Sequence, residues 1–253
     1  MLGIYFSGTG NTRYCVEKFV KEDNIDNKAI SIEDPNVLKE MQESDIIAIG
    51  YPVYYSNIPT ILREFIVKNQ LVFKGKSVFV IATMAMFSGD GAGYLARILS
   101  GYGANIIGGL HITMPDCICD EKVLKRSIEA NSRLVKKGEA KINKAVEQFK
   151  KCQPTKEGLG LLSHILGLMI QRIWFYHKTK EYSNKIKIDQ EKCIGCGICV
   201  NLCPMKNLSM DQKVAVQNNQ CTLCYRCVSN CPRQAITLLG NKIYEQCKIE
   251  KYI

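Results

Sequence analysis

The chain has 253 residues, 46% of them hydrophobic and 23% charged, a composition that excludes a disordered protein and allows one large domain or two modest ones with a buried core. Its formal charge of +10 raises nucleic acid as a partner, but the basic residues are spread along the chain, notably over 122–151 and 172–187, with no nucleic-acid motif. Solvated helix faces and some attraction for acidic partners are the expected uses of that charge, and no nucleic acid is expected.

Residues 1–150 alternate short apolar runs with amphipathic ones, the pattern of an α/β protein with a doubly wound parallel sheet. The pattern predicts strands over 2–6, 28–32, 46–51, 77–83 and 105–112, with helices over 12–22, 36–41, 60–67, 93–100 and 128–150. The first six residues lack a basic n-region and a small-residue cleavage site, so they read as a strand and not a signal peptide. Abundant cysteine without a secretory signal implies a reducing, cytoplasmic setting, in which thiols serve as ligands.

The first strand runs into Ser7, Gly8, Thr9, Gly10, Asn11 and Thr12. Hydroxyls and the amides of a helix N-terminus converge there, which suits a phosphate. The loop lacks the Lys of a Walker motif, and Arg13 stands where a dinucleotide fingerprint has its third glycine, so a nucleoside triphosphate and NAD are both disfavoured. This Ser-Gly-Thr-Gly-Asn-Thr loop resembles the phosphate loop of flavodoxins, and the resemblance implies a flavodoxin-like five-stranded sheet binding FMN, not FAD.

In an open α/β sheet the ligand lies at the carboxyl ends of the strands. Pro52, Val53, Tyr54 and Tyr55 follow the third strand, and Thr83, Met84, Ala85 and Phe87 follow the fourth. These two loops are expected to line the flavin ring, with Tyr54 first among the candidates for stacking, and Tyr55 and Phe87 behind it. Asp90 and Tyr94 loosely match elements of flavodoxin ring loops. His111 is expected to pack at the end of strand five. Cys117 and Cys119 form a C-x-C pair that reads as two free, partly buried thiols, with a redox dithiol or a stray cluster contact as the alternatives. Cys15, Cys152 and Cys247 have no partner at ligand spacing and read as free thiols too.

The apolar stretch over 158–170 is interrupted by Ser163 and His164 and is followed by Gln171 and Arg172. Its uninterrupted part is well short of the ~20 residues needed to cross a bilayer. A helix docked between domains is expected over 158–176; a membrane is not, although a membrane-surface helix and a homo-oligomer contact stay open.

Eight of the thirteen cysteines fall in two copies of one spacing: Cys193, Cys196, Cys199 and Cys203 before Pro204, then Cys221, Cys224, Cys227 and Cys231 before Pro232. A shift of 28 residues superimposes the copies, which marks an internal repeat. Neither a zinc ribbon nor a disulfide scaffold explains this repeat with its prolines. The doubled C-x2-C-x2-C-x3-C-P pattern resembles the bacterial two-[4Fe-4S] ferredoxin over about 187–239. Carried over position by position, the resemblance assigns Cys193, Cys196, Cys199 and Cys231 to one cluster. It assigns Cys221, Cys224, Cys227 and Cys203 to the other.

The order of parts resembles the flavodoxin-ferredoxin fusion proteins of anaerobic bacteria, which implies electron transfer between FMN, two [4Fe-4S] clusters and external redox proteins. The expected division is a flavodoxin-like domain over 1–151, a helical linker over 152–184 and a small α+β ferredoxin-like domain over 185–253. The donor and acceptor are not specified by the sequence. A reductase acting on a small molecule through an open flavin face is the alternative, and an open or closed cavity above the ring discriminates the two.

Overall fold

The computed structural model describes residues 1–55, 57–86, 89–160, 163–164 and 181–253. Five parallel strands form one sheet in the order β2-β1-β3-β4-β5, built from β1 (Leu2–Tyr5), β2 (Lys28–Ser31), β3 (Ile46–Pro52), β4 (Ser77–Met84) and β5 (Asn105–Thr113). This is the flavodoxin-like strand order, with its switch point between β1 and β3. The helices between the strands are α1 (Asn11–Asp23), α2 (Val37–Gln42), α3 (Thr60–Lys68) and α4 (Gly91–Gly101), followed by α5 (Ile128–Lys150).

Strands covered on both faces are apolar at nearly every position, and the alternation of side chains decides which core each residue enters. Val78, Val80 and Ala82 of β4 enter one core, whereas Phe79 and Ile81 enter the core on the opposite face. Helix α1 buries Cys15, Val16, Phe19 and Val20, and Phe19 meets Phe79 at 4.6 Å between ring centroids. Helix α5 starts where the Ser127 side chain accepts from the Ala130 amide and buries a stripe from Asn131 to Val146. The free edge of β5 is covered by residues 155–157, which exchange backbone bonds with Gly109 of 2.8 and 3.0 Å.

All five predicted strands and five predicted helices are present, with ends displaced by at most two residues. Three short 3-10 turns, Gln70–Phe73, Lys122–Leu124 and Ile249–Lys251, carry no periodic signal and are not among the expected elements. The helix expected over 158–176 lies outside the described residues, apart from 158–160, Ser163 and His164. Among the described residues no helix is long and apolar enough to cross a membrane.

The C-terminal part repeats one unit. Helices α6 (Ile198–Leu202) and α7 (Arg226–Asn230) each follow three closely spaced cysteines. Two antiparallel ladders, β6 (Lys187–Ile188) with β9 (Ile236–Thr237) and β7 (Leu208–Asp211) with β8 (Val214–Gln217), complete the small α+β unit. Its core holds Leu208, Val228, Ile236 and Leu238 among the cysteines. The two parts share side chains: Cys119 packs in the core of the cysteine-rich unit, while Ile249 and Tyr252 return to the core beside α1 and α5.

Candidate functional site

The loop between β1 and α1 is shaped by its own side chains. Ser7 Oγ accepts from the Gly10 amide at 3.2 Å, and Asn11 Nδ2 donates to the Pro115 carbonyl at 2.7 Å, tying the loop to the segment after β5. Gly10 caps α1 with φ at 98°, a left-handed conformation that favours glycine. The first-turn amides of α1 have no intrahelical acceptor, which leaves a cradle for an anion. The Thr12 hydroxyl is not part of that cradle: it is buried and bonded to Thr83 Oγ1 at 2.7 Å.

Above the loop is a cavity, open in part to solvent, lined by apolar groups and a few polar ones. Ser7, Gly8, Thr9, Asn11 and Thr12 line it from the first loop, Pro52, Val53, Tyr54 and Tyr55 from the second, and Thr83, Met84 and Ala85 from the third. Gly10 faces a neighbouring groove instead, and Phe87 lies outside the described residues. Tyr54 is buried, and burial pushes its phenol well above its ordinary pKa, so it lines the cavity as a neutral ring. Tyr55 is half-buried and meets the Tyr182 ring at 5.1 Å.

Asp90 and Tyr94, expected near the ring, do not line this cavity. Asp90 is paired with Arg97, and the Tyr94 hydroxyl accepts from Arg63 at 2.6 Å. His111 packs at the sheet end as expected: its Nε2 accepts from the Ala92 amide at 3.0 Å, and burial lowers its pKa, favouring the neutral ring that this bond requires.

Residues that sequence reasoning missed close the cavity. Met114, Pro115, Asp116, Cys117 and Ile118 enter from the segment after β5. Leu223, Tyr225, Leu238 and Leu239 enter from the cysteine-rich unit. No periodicity points from those four to a phosphate loop more than 200 residues earlier in the chain.

The cysteines divide into two groups, and each group crosses the repeat. Cys193, Cys196, Cys199 and Cys231 line one cavity; Cys203, Cys221, Cys224 and Cys227 line a second. The repeat persists in the backbone: the Asn207 amide donates to Cys203 Sγ at 3.2 Å and the Ala235 amide to Cys231 Sγ at 3.3 Å, 28 residues apart. Burial pushes Cys221 up to about 12 and Cys224 up to about 11, so neutral thiols are favoured until a metal displaces their protons.

The second cavity also contains buried polar atoms without a protein partner, Asn207 Nδ2 and Thr222 Oγ1. A sulfide-rich cluster offers acceptors to both, so the residues present fit the group. Among the described residues no three His, Cys, Asp or Glu side chains are gathered closely enough for one metal ion. Each set of four thiols therefore surrounds a space instead of meeting at a point.

The two halves of the site are in direct contact. A Cβ added to Gly8 would lie 2.0 Å from the Cys224 carbonyl oxygen, so only glycine lets the second cysteine group approach the phosphate loop this closely. Arg226, between Cys224 and Cys227, donates to both carboxylate oxygens of Glu33 at 2.7 and 2.9 Å and to the Ser7 carbonyl at 2.9 Å. The Ile249 amide donates to the Thr9 carbonyl at 3.0 Å. Asp120 is buried and accepts from the Tyr225 hydroxyl at 2.9 Å and from the Leu238 and Leu239 amides at 2.6 and 2.9 Å.

The thiols outside these groups differ in their surroundings. All three of Cys15, Cys152 and Cys247 are free thiols, as expected; Cys15 is buried in a core, Cys152 is exposed, and Cys247 accepts from Lys125 Nζ at 2.9 Å and neighbours Cys119. The Cys119 contact, with Lys125 beside it, pulls the Cys247 thiol down to about 7.

An α/β sheet with a phosphate loop, joined to two crossed groups of four cysteines, defines a class of protein that carries flavin and iron-sulfur cofactors. Family models agree: one described as a flavodoxin domain matches residues 2–105, and one described as a 4Fe-4S dicluster domain matches residues 185–243. The chain is a flavodoxin-ferredoxin fusion, with FMN and [4Fe-4S] clusters as its cofactors.

Among curated proteins, a component of the ion-translocating oxidoreductase complex of Thiobacillus denitrificans is 33% identical over 76 residues, which cover 30% of this chain and 37% of that protein. The chain thus spans little more than a third of that relative. A ferredoxin of Pyrococcus woesei is 65% identical over 20 residues, 8% of this chain and 95% of that sequence. Among solved structures, the two-electron-reduced flavodoxin of Megasphaera elsdenii is 24% identical with a TM-score of 0.40, covering 46% of this chain and 89% of that one. Fusobacterium nucleatum flavodoxin bound to flavin mononucleotide is 17% identical with a TM-score of 0.41, covering 59% and 96%.

Proposed function

We propose that this chain is an internal electron relay between a flavin in the cavity above the Ser7 to Thr12 loop and two clusters held by the crossed cysteine groups. FMN, when bound, exchanges electrons in ones or twos, whereas each cluster exchanges them singly. The observation that carries the reading is the contact of Cys224 with Gly8, which seats one cysteine group against the phosphate loop. That group, Cys203, Cys221, Cys224 and Cys227, is proximal to the flavin. The other group contains the exposed Cys196, flanked by exposed Ile194 and Ile198, and faces external redox proteins.

The division into domains over 1–151 and 185–253 with a linker over 152–184, and a cytoplasmic setting, belong to the same reading. Covalent joining raises the effective concentration of one site at the other, and the Arg226–Glu33 and Asp120 contacts hold them in register. The reductase alternative requires an accessible face above the ring, where Leu223, Tyr225, Leu238 and Leu239 stand.

Rapid mixing with a flavin reductant tests the relay. Cluster bleaching is expected to follow flavin reduction at a rate independent of protein concentration; a rate that rises in proportion to concentration means transfer between molecules and ends this reading. A separate test concerns the cradle. Thr9→Val is expected to weaken flavin retention roughly tenfold, the order of one lost charge-assisted hydrogen bond, while iron content stays constant. Released FAD in place of FMN contradicts the assignment.

A further inference from the structure

The two copies of the cysteine repeat share a left-handed backbone at equivalent positions but differ in the residues placed there. Gly195 and Gly197 of the first copy have φ of 68° and 71°; Leu223 and Tyr225, 28 residues on, have φ of 63° and 58°. An L side chain in this region crowds its own backbone, and for a bulky residue the conformation is rare. The second copy therefore carries two large side chains where the first uses the residue that fits without strain.

Strain alone does not explain the exchange. A third equivalent pair, Lys206 and Gln234, is also left-handed, with φ of 51° and 49°, yet it is non-glycine in both copies and both side chains are exposed. What separates Leu223 and Tyr225 is where they stand: both are buried and both line the cavity above the phosphate loop. In the first copy the same positions have no such use. A Cβ at Gly197 meets nothing within 4 Å, and one at Gly195 would collide with the Lys213 carbonyl oxygen at 2.5 Å.

We propose that Leu223 and Tyr225 form a flavin-binding half-site on the dicluster domain, replacing the repeat's glycines to close the cavity over the cofactor's ring and shield it from water and small molecules. This rests on the flavin site proposed above. Leu223 supplies an apolar face and Tyr225 an aromatic one, and the Tyr225 hydroxyl is anchored by Asp120, so the ring is held in one orientation. Tyr225 follows Cys224 directly in the chain, so the wall of the flavin cavity and the proximal cysteine group are continuous backbone.

The test is the double variant Leu223→Gly, Tyr225→Gly, which restores in the second copy what the first already accommodates. It is purified anaerobically as the full chain with its clusters. FMN affinity is expected to fall at least tenfold, and iodide quenching of flavin fluorescence to rise severalfold, with iron and sulfide content unchanged. Tyr225→Phe, which keeps the ring and loses only the Asp120 bond, is expected to stay within about threefold of the parent in affinity. Unchanged affinity and quenching in the double variant, with FMN bound by the parent, would overturn the half-site and leave the phosphate-loop site standing. Failure of the parent itself to bind FMN would overturn the flavin site and this inference together. If the double variant loses its clusters, Tyr225→Leu and Leu223→Ala replace it with the same quenching readout, and unchanged quenching in both is the overturning result.

Discussion

Cys231→Ala should remove the cluster seated by Cys193, Cys196 and Cys199, nearly forty residues earlier, and leave its sequence neighbours Cys221, Cys224 and Cys227 loaded. The expectation follows from the two cavities, each lined by three cysteines of one copy and the last cysteine of the other. Losing one thiolate of four is expected to cost about half of the iron and sulfide. The discriminating measurement is electron paramagnetic resonance of the reduced protein. The Cys231→Ala spectrum should match that of Cys199→Ala and differ from that of Cys227→Ala. A match to Cys227→Ala instead would mean that each copy binds its own cluster.

Asp120→Ala should loosen the contact between the two domains. The carboxylate is buried and serves three donors of the dicluster domain, Tyr225 Oη and the amides of Leu238 and Leu239. Leaving a buried donor unsatisfied costs about 1–3 kcal/mol, so even partial rehydration of the three suggests a loss of about 3 kcal/mol, roughly a hundredfold in local opening. Amide hydrogen exchange reads this directly. Leu238 and Leu239 are expected to exchange about a hundredfold faster. The informative probe is the Ile249 amide, bonded to Thr9 elsewhere on the interface. If it also accelerates, Asp120 holds the domains together; if it keeps full protection, the carboxylate acts only locally and the docking role is wrong. Asp120→Asn retains one acceptor oxygen and should fall between the two.

The reduction experiment and the exchange experiment address different links. The first asks whether electrons stay within one chain, and the second asks what holds the two sites at fixed separation. Arg226 belongs to the same interface: its forked pair with Glu33 and its bond to the Ser7 carbonyl join the second cysteine group to the phosphate loop. The Arg13–Glu250 pair, by contrast, is largely exposed and contributes little.

Much of this protein is written locally in its sequence. Three thiols of each cysteine group were legible from consecutive intervals of three within a 28-residue repeat, and the crossing of the fourth came from the resemblance to two-[4Fe-4S] ferredoxins. The strands and helices of residues 1–150 were legible because burial on one or both faces imposes a period on apolar residues. The loop from Ser7 to Thr12 was legible because a helix N-terminus, glycines and hydroxyls are contiguous there. Its details were not: the Thr12 hydroxyl is occupied by Thr83, 71 residues away, and Asp90 turns to Arg97 and not to the cavity.

Only the tertiary structure decided what closes the cavity above the Ser7 to Thr12 loop. Tyr225 meets Asp120 across 105 residues of chain and Arg226 meets Glu33 across 193, and a hydrogen bond between docked domains leaves no periodic trace in either segment. The same holds for Cys247, whose neighbours Lys125 and Cys119 stand far from it in the chain. Leu223 and Tyr225 were visible in the sequence as departures from the glycines of the first copy. Their meaning required the backbone, because a side chain in a left-handed conformation acquires a reason only when the space it fills is known.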